Sequence, residues 1–220
     1  MIKDNLLKIK EYLPSDIKLI AVSKTKPSSL IKEAYDAGHM DFGENKVQEL
    51  ITKHPELPSD IRWHMIGHLQ SNKVKYIAPF VYMIHGVDSY KLLKEINKQG
   101  EKHNRIINCL FQFHIAQESS KFGLSYENAL EIIENEHFNE LKNICICGVM
   151  GMATFTNDQH QVLAEFENLY KIFTNLAKQP SISDSFKTVS MGMSNDFELA
   201  IKSGSNMVRI GSRIFGDRIK

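Results

Sequence analysis

Apolar and polar positions along the chain fall into two alternating periods. Short, β-branched apolar runs recur, and each is followed by a segment with apolar residues at helical spacing. Ile17 to Val22 is the first run and ends at Ser23-Lys24. Pro27-Ser28-Ser29 then offers a helix start, Leu30, Ile31, Ala34 and Tyr35 continue it, and Gly38 stops it. Met40 to Phe42 predicts a second strand, followed by a helix from Asn45 to Lys53. Arg62 to Ile66 predicts a third, with a helix from about Leu69 to Ile77. Phe80 to Ile84 is the fourth, with a helix from Ser89 to His103. Ile106 to Ile115 shows little alternation, which suits a strand buried on both faces, and a helix from Ser125 to His137 follows. Ile144 to Val149 is the sixth strand. After it, Val162, Leu163, Phe166, Leu169, Tyr170, Phe173 and Leu176 mark one apolar helix face. Lys187 to Val189 is the seventh strand, Ser194 opens a helix to Lys202, and Met207 to Ile210 is the eighth.

Strands that alternate regularly with helices argue for parallel βαβ units. A doubly wound open sheet uses the same units. Eight of them, with no strong composition break and no long linker, favour a closed barrel, which takes about 250 residues and tolerates roughly 200. The expected fold is therefore α/β, a single (β/α)8 TIM barrel with an extra N-terminal helix, forming one domain over residues 1–220.

Composition narrows the partners. Lys plus Arg is 27 and Asp plus Glu is 26, a formal net charge of +1, which gives no support for nucleic acid or a membrane surface as partner. Cys109, Cys145 and Cys147 sit in apolar runs and form no even framework, as suits buried thiols in a reducing compartment. The N-terminal stretch has no apolar h-region and no small-residue cleavage site, and no apolar run approaches a membrane span. The cytoplasm is the expected location.

In such a barrel, functional groups sit at the C-terminal ends of strands, and phosphate usually binds after strands seven and eight. Ser190-Met191-Gly192-Met193-Ser194 and Gly211-Ser212 occupy those two places. Each pairs a hydroxyl with a glycine, and the first leads into a helix, so both suit a phosphate cup. The same residues also suit turns and helix caps. Lys24 closes the first strand, where partial desolvation would make its amine a nucleophile for aldehydes. Lys26, just before Pro27, is a rival at the same strand end, and sequence physics does not choose between the two. Arg209 lies inside the apolar run Met207 to Ile210, so it should face the barrel interior or its mouth and have a partner there.

The segments AVSKTKP (21–27), FGENKVQE (42–49), WHMIGHLQSNK (63–73), SMGMSNDFELAI (190–201) and MVRIGSRIFG (207–216) together resemble the pyridoxal phosphate homeostasis proteins, also called proline synthase co-transcribed homologues. They span nearly the whole chain in the expected order. The resemblance implies a barrel like the N-terminal domain of alanine racemase and pyridoxal 5'-phosphate as cofactor. It further implies a Schiff base on Lys24, with Lys26 as a neighbouring charge. Arg209 would then face the pyridine nitrogen. Ser190, Met191, Gly211 and Ser212 would hold the phosphate, and Asn45 and Met150 would lie near the ring. His64 and Gln70 would line the mouth. The chain has Ser212 where the family often has threonine, which keeps the hydroxyl. Gly148-Val149-Met150-Gly151-Met152 departs from the commoner Gly-Leu-Met-x-Ile-Pro.

An arginine is always charged and has no acceptor, so at the ring nitrogen it disfavours protonation and weakens the ring as an electron sink. A two-base racemase also needs a second acid/base on the opposite ring face, which a C-terminal domain helps supply in the resembling enzymes. This sequence ends at Lys220, soon after the last strand, so no such domain is expected. The expected role is a carrier or buffer of pyridoxal phosphate without catalytic turnover, a monomer or weak dimer, with apo-forms of pyridoxal phosphate enzymes as candidate partners. The alternative is a racemase or lyase acting on amino acids. No metal is expected: His64 and His68 belong to a strand running into a loop, and Cys145-x-Cys147 lacks zinc or redox spacing and reads as core.

Overall fold

The computed structural model describes residues 1–117 and 122–217. Eight parallel strands form a closed barrel in chain order: β1 (Lys18–Val22), β2 (Asp41–Glu44), β3 (Arg62–Met65), β4 (Met83–Val87), β5 (Ile107–Phe113), β6 (Ile144–Gly151), β7 (Thr188–Ser190) and β8 (Met207–Ile210). Closure is made by β1 on β8, with Lys18 opposite Met207 and Ala21 opposite Ile210. The alternation of β-branched runs with amphipathic segments thus yields the expected (β/α)8 barrel.

Helix α1 (Ile2–Tyr12) is the extra N-terminal helix; it buries Ile2, Leu6 and Ile9 and its Asn5 side chain donates to the Ile214 carbonyl. The helices that follow are α2 (Ser28–Asp36), α3 (Val47–Lys53), α4 (Val74–Ile77), α5 (Tyr90–Lys102), α6 (Tyr126–Ile133), α7 (Gln159–Leu176), α8 (Phe197–Lys202) and α9 (Ser212–Phe215). Two of these helices and one strand differ most from expectation. The stretch from Leu69 to Ile77 is a 3-10 turn, Ser71–Lys73, leading into the single turn of α4. Phe80 precedes β4 in a turn, its ring stacked on His54 at 3.7 Å, so β4 starts at Met83. Ser194 does not open α8, because Asp196 takes the N-cap place and accepts from the Met193 N–H at 2.5 Å.

Inside the barrel, Ile20, Met83, Leu110, Met150 and Met207 pack as an apolar plug. Each such side chain stabilises the fold by roughly 1.5–3 kcal/mol when fully buried. Lys18, Asp41 and Arg62 lie at the N-terminal ends of their strands, on one side of this plug. The strand C-termini and their loops lie on the other.

One irregularity turns the methionines at the end of β6 toward the barrel interior. Gly148 has φ +151° and interrupts the β5–β6 register, where Cys109 faces Ile146 but Leu110 faces Gly148. A Cβ there would come within 1.9 Å of the Thr188 carbonyl oxygen, so only glycine fits this bulge. The extra residue shifts the side-chain parity of β6. Val149 then faces the surrounding helices, and Met150 and Met152 face inward.

Candidate functional site

A cavity of about 630 Å³ opens at the C-terminal ends of the strands. Among the described residues, three cations line it, Lys24, Lys26 and Arg209, against two carboxylates, Asp196 and Asp217. Asn45, Gly211 and Ser212 also line it, so five of the expected cofactor residues share one cavity: Lys24, Asn45, Arg209, Gly211 and Ser212.

Lys24 sits in a short loop after β1 that buried charges hold from behind. Ser23 Oγ donates to Glu44 Oε1 at 2.6 Å, and Lys53 Nζ donates to the Ser23 carbonyl at 3.0 Å and to Glu44 Oε1 at 2.7 Å. Thr25 has φ +64°, an uncommon conformation for a β-branched residue, and its N–H donates to Glu49 Oε2 at 2.7 Å. Lys53 Nζ also reaches that Glu49 oxygen at 3.1 Å. Glu44 is fully buried, and burial pushes its carboxyl above the usual range, with Lys53 and Ser23 pulling the other way. Its Oε2 has no hydrogen-bond partner. Lys26 is drawn to the rim, where its Nζ donates to the Asp217 carbonyl at 2.6 Å.

Arg209 enters the cavity from β8. Its Nη1 donates to the Ser190 carbonyl at 2.8 Å and to Ser190 Oγ at 2.7 Å, and its Nη2 donates to the Gly151 carbonyl at 2.9 Å. Burial lowers its pKa to about 10, with Asp196 raising it, so it remains charged at neutral pH.

On the hydroxyl side, the Gly211 N–H donates to Ser194 Oγ at 3.3 Å, which joins the ends of β7 and β8 beside Ser212. Asn45 approaches from β2: its carbonyl oxygen would lie 2.3 Å from a Cβ on Gly67, so that crossing requires glycine. At the rim, the His68 ring stacks on Phe122 at 4.0 Å and its Nδ1 lies 3.2 Å from Asp88 Oδ2.

Other expected residues lie elsewhere. Met150 is fully buried in the plug, and Met152, two residues further along the same inward face, lines the cavity. The Ser190 hydroxyl is buried against Arg209, and Met191 is fully buried in the outer core with its N–H bonded to the Met207 carbonyl, so Ser194 presents the hydroxyl at this strand end. His64 is fully buried below the cavity, because on β3 it points inward while Trp63 and Met65 point to the helices. Gln70 is exposed beside the 3-10 turn and outside the lining. Cys145 is only half-buried, with its Sγ 3.0 Å from Ser185 Oγ, while Cys109 is core.

Sequence reasoning missed Gln112, Phe122, Phe155 and Met193 of the lining, and the interior His85. His85 was findable: it is a polar residue in the apolar run Met83 to Val87, the same signal that singled out Arg209.

The family model described as alanine racemase, N-terminal domain, matches residues 1–219. A pyridoxal phosphate homeostasis protein of Aquifex aeolicus is 37% identical over 202 residues, covering 91% of this chain and 87% of the relative. One from Homo sapiens is 38% identical over 212 residues, covering 91% and 76%. The structure of PipY from Synechococcus elongatus with PLP bound superposes with a TM-score of 0.88 at 32% identity, covering 98% of this chain and 100% of that one. An alanine racemase from Bartonella henselae, at 15% identity and a TM-score of 0.72, shares the fold. With five signature segments in order, a closed eight-stranded barrel and relatives matched over most of their length, this chain belongs to the pyridoxal phosphate homeostasis protein family, within the alanine racemase N-terminal-domain barrels.

Proposed function

We propose that this protein binds pyridoxal phosphate in the barrel mouth, as a Schiff base on Lys24, and buffers or delivers it without turning over amino acids. The observation that carries this reading is the meeting, in one cavity, of a strand-end lysine, a buried charged arginine and a pair of hydroxyls beside a glycine. The cations among the described lining suit a phosphate ester, and a cavity of about 630 Å³ is of the size that small-molecule sites have.

The cofactor, when bound, supplies an aldehyde for amines and an electron-withdrawing ring. The chain's own residues do the rest. Lys24 would hold the cofactor's aldehyde through its Nζ, with water as the group released. Lys26, tied to the Asp217 carbonyl, contributes charge at the rim and leaves the condensation to Lys24. The hydroxyls of Ser194 and Ser212 would hold the phosphate, with Gly211 tying the two strand ends together through its N–H to Ser194 Oγ. Asn45 and Met152 flank the ring. Arg209 meets the ring nitrogen with a donor and a full charge, which disfavours protonation there and weakens carbanion chemistry.

Two results test this. Lys24→Ala should lose visible absorbance with pyridoxal phosphate while keeping its far-ultraviolet circular dichroism. Holo-protein should exchange no α-deuterium into common amino acids; sustained exchange with turnover would make it a racemase or lyase, with His68 and Asp88 as the acid/base candidates at the rim.

A further inference from the structure

The buried polar groups of the barrel interior form a single file. Arg209 Nη1 donates to Ser190 Oγ at 2.7 Å; Ser190 Oγ lies 3.4 Å from His85 Nδ1; His85 Nε2 lies 2.9 Å from His64 Nδ1; and His64 Nε2 lies 3.0 Å from Asp41 Oδ1. Ser190, His85 and His64 are fully buried and Arg209 and Asp41 nearly so. The file runs from the cavity to the opposite end of the barrel, where Asp41 also meets Arg62 and Lys18.

With both imidazoles neutral, proton bookkeeping permits one direction only. Ionised Asp41 accepts, so His64 carries its proton on Nε2 and accepts at Nδ1. His85 then donates from Nε2 and accepts at Nδ1. Ser190 donates to His85 and accepts from the guanidinium, which cannot accept. Burial lowers the pKa of each, against the pull of Asp41 on His64, and for His85 the charges of Arg209 and Lys18 act in the same direction as burial. Burial would raise Asp41, but hydrogen bonds from His64 and Arg62, with the charge of Lys18, hold it well below the usual carboxylate range.

We propose that Ser190, His85 and His64 form a one-way hydrogen-bond chain from Arg209 to Asp41 that fixes the guanidinium against the cavity floor, making Ser190 and His85 positioning residues for the cofactor ring. This deepens the function proposed above and rests on Arg209 facing the ring nitrogen. Two donors of Nη1 go to Ser190 and one of Nη2 to Gly151, so two of its five N–H groups remain for the cavity. Asp196, in the same cavity, favours the charged guanidinium, and Asp41 adds a second anion at the far end of the file. A polarised chain of this kind strengthens each link.

The test has two arms. Histidine nitrogen NMR on cofactor-free protein at pH 7, assigned with His64→Gln and His85→Gln, should show both rings neutral and protonated on Nε2. A ring protonated on Nδ1, or charged, overturns the chain whatever the cofactor does. In the second arm, Ser190→Ala should weaken pyridoxal phosphate binding roughly tenfold and move the visible maximum, and Ser190→Thr should restore both. Affinity within twofold of wild type and an unmoved maximum for Ser190→Ala would overturn the positioning role. Wild-type protein that neither binds the cofactor nor absorbs would instead sink the proposed function, with the NMR arm still deciding the order of the chain.

Discussion

Replacing Lys53 with methionine probes the loop that presents Lys24. Methionine keeps the apolar stem and removes the charge. Lys53 is 9% exposed and its partner Glu44 0%, so solvent screens this pair little. Its second partner, Glu49, is 24% exposed and adds less. The variant strands a buried carboxylate whose Oε2 already lacks a partner. Removing one side of a buried pair costs about 3–5 kcal/mol, a large part of a typical net stability of roughly 5–15 kcal/mol. With an m-value of about 2–3 kcal/mol/M, the urea midpoint at pH 7 should fall by about 1–2 M. The pH dependence follows from Glu44, already raised by burial and raised further without Lys53. Between its ordinary value, about 4.3, and the higher folded value, the folded protein holds a proton that the unfolded chain does not. Stability of the variant therefore falls as pH rises through that window, and its deficit shrinks on acidification towards pH 5. Glu44→Gln combined with Lys53→Met should recover most of the loss, since the amide oxygen still accepts from Ser23. An unchanged midpoint for Lys53→Met, or a deficit that grows on acidification, would show that the clamp does not hold this loop.

Further outcomes follow from the same geometry. Ser212→Ala should weaken pyridoxal phosphate binding about tenfold or more through a lost charge-assisted hydrogen bond, measured by fluorescence titration, without moving the thermal midpoint, since Ser212 is exposed. Gly67→Ala should destabilise the barrel by about 1–3 kcal/mol in urea and weaken cofactor binding, because the new Cβ collides with the Asn45 backbone. Wild-type stability should fall as pH drops from about 6.5 towards about 4, because His39, held at about 4 by burial, and the buried His64 and His85 are neutral when folded and protonated when unfolded. Urea titrations at several pH values would read that slope, and a flat profile would contradict it.

The barrel was legible because each unit announces itself locally, as in Ile17 to Val22 before Ser28 to Tyr35, and Gly38 ends its helix as expected. Lys24, Gly211 and Ser212 were legible from strand position, Arg209 from its charge inside an apolar run, and Asn45 through the family resemblance. What was lost depends on parity and on contacts between units. The bulge at Gly148 turns both Met150 and Met152 inward, and only their depth along the barrel decides that Met152 reaches the cavity, which local sequence does not mark. The hydroxyls of Ser190 and Ser194 part ways because the strand ends between them, one held by Arg209 and the other by the Gly211 N–H. The clamp on Lys24 joins residues from β1, β2 and α3, and the interior file joins β2, β3, β4, β7 and β8, which no local pattern predicts. Both devices hold a cationic side chain in place from behind, and both use charges buried away from the cavity.

The most direct measurement is borohydride reduction of the protein saturated with pyridoxal phosphate, followed by peptide mapping by mass spectrometry. The account predicts one phosphopyridoxyl group, on the peptide carrying Lys24 and at that residue. Modification at Lys26 instead, or no stable adduct, would contradict it.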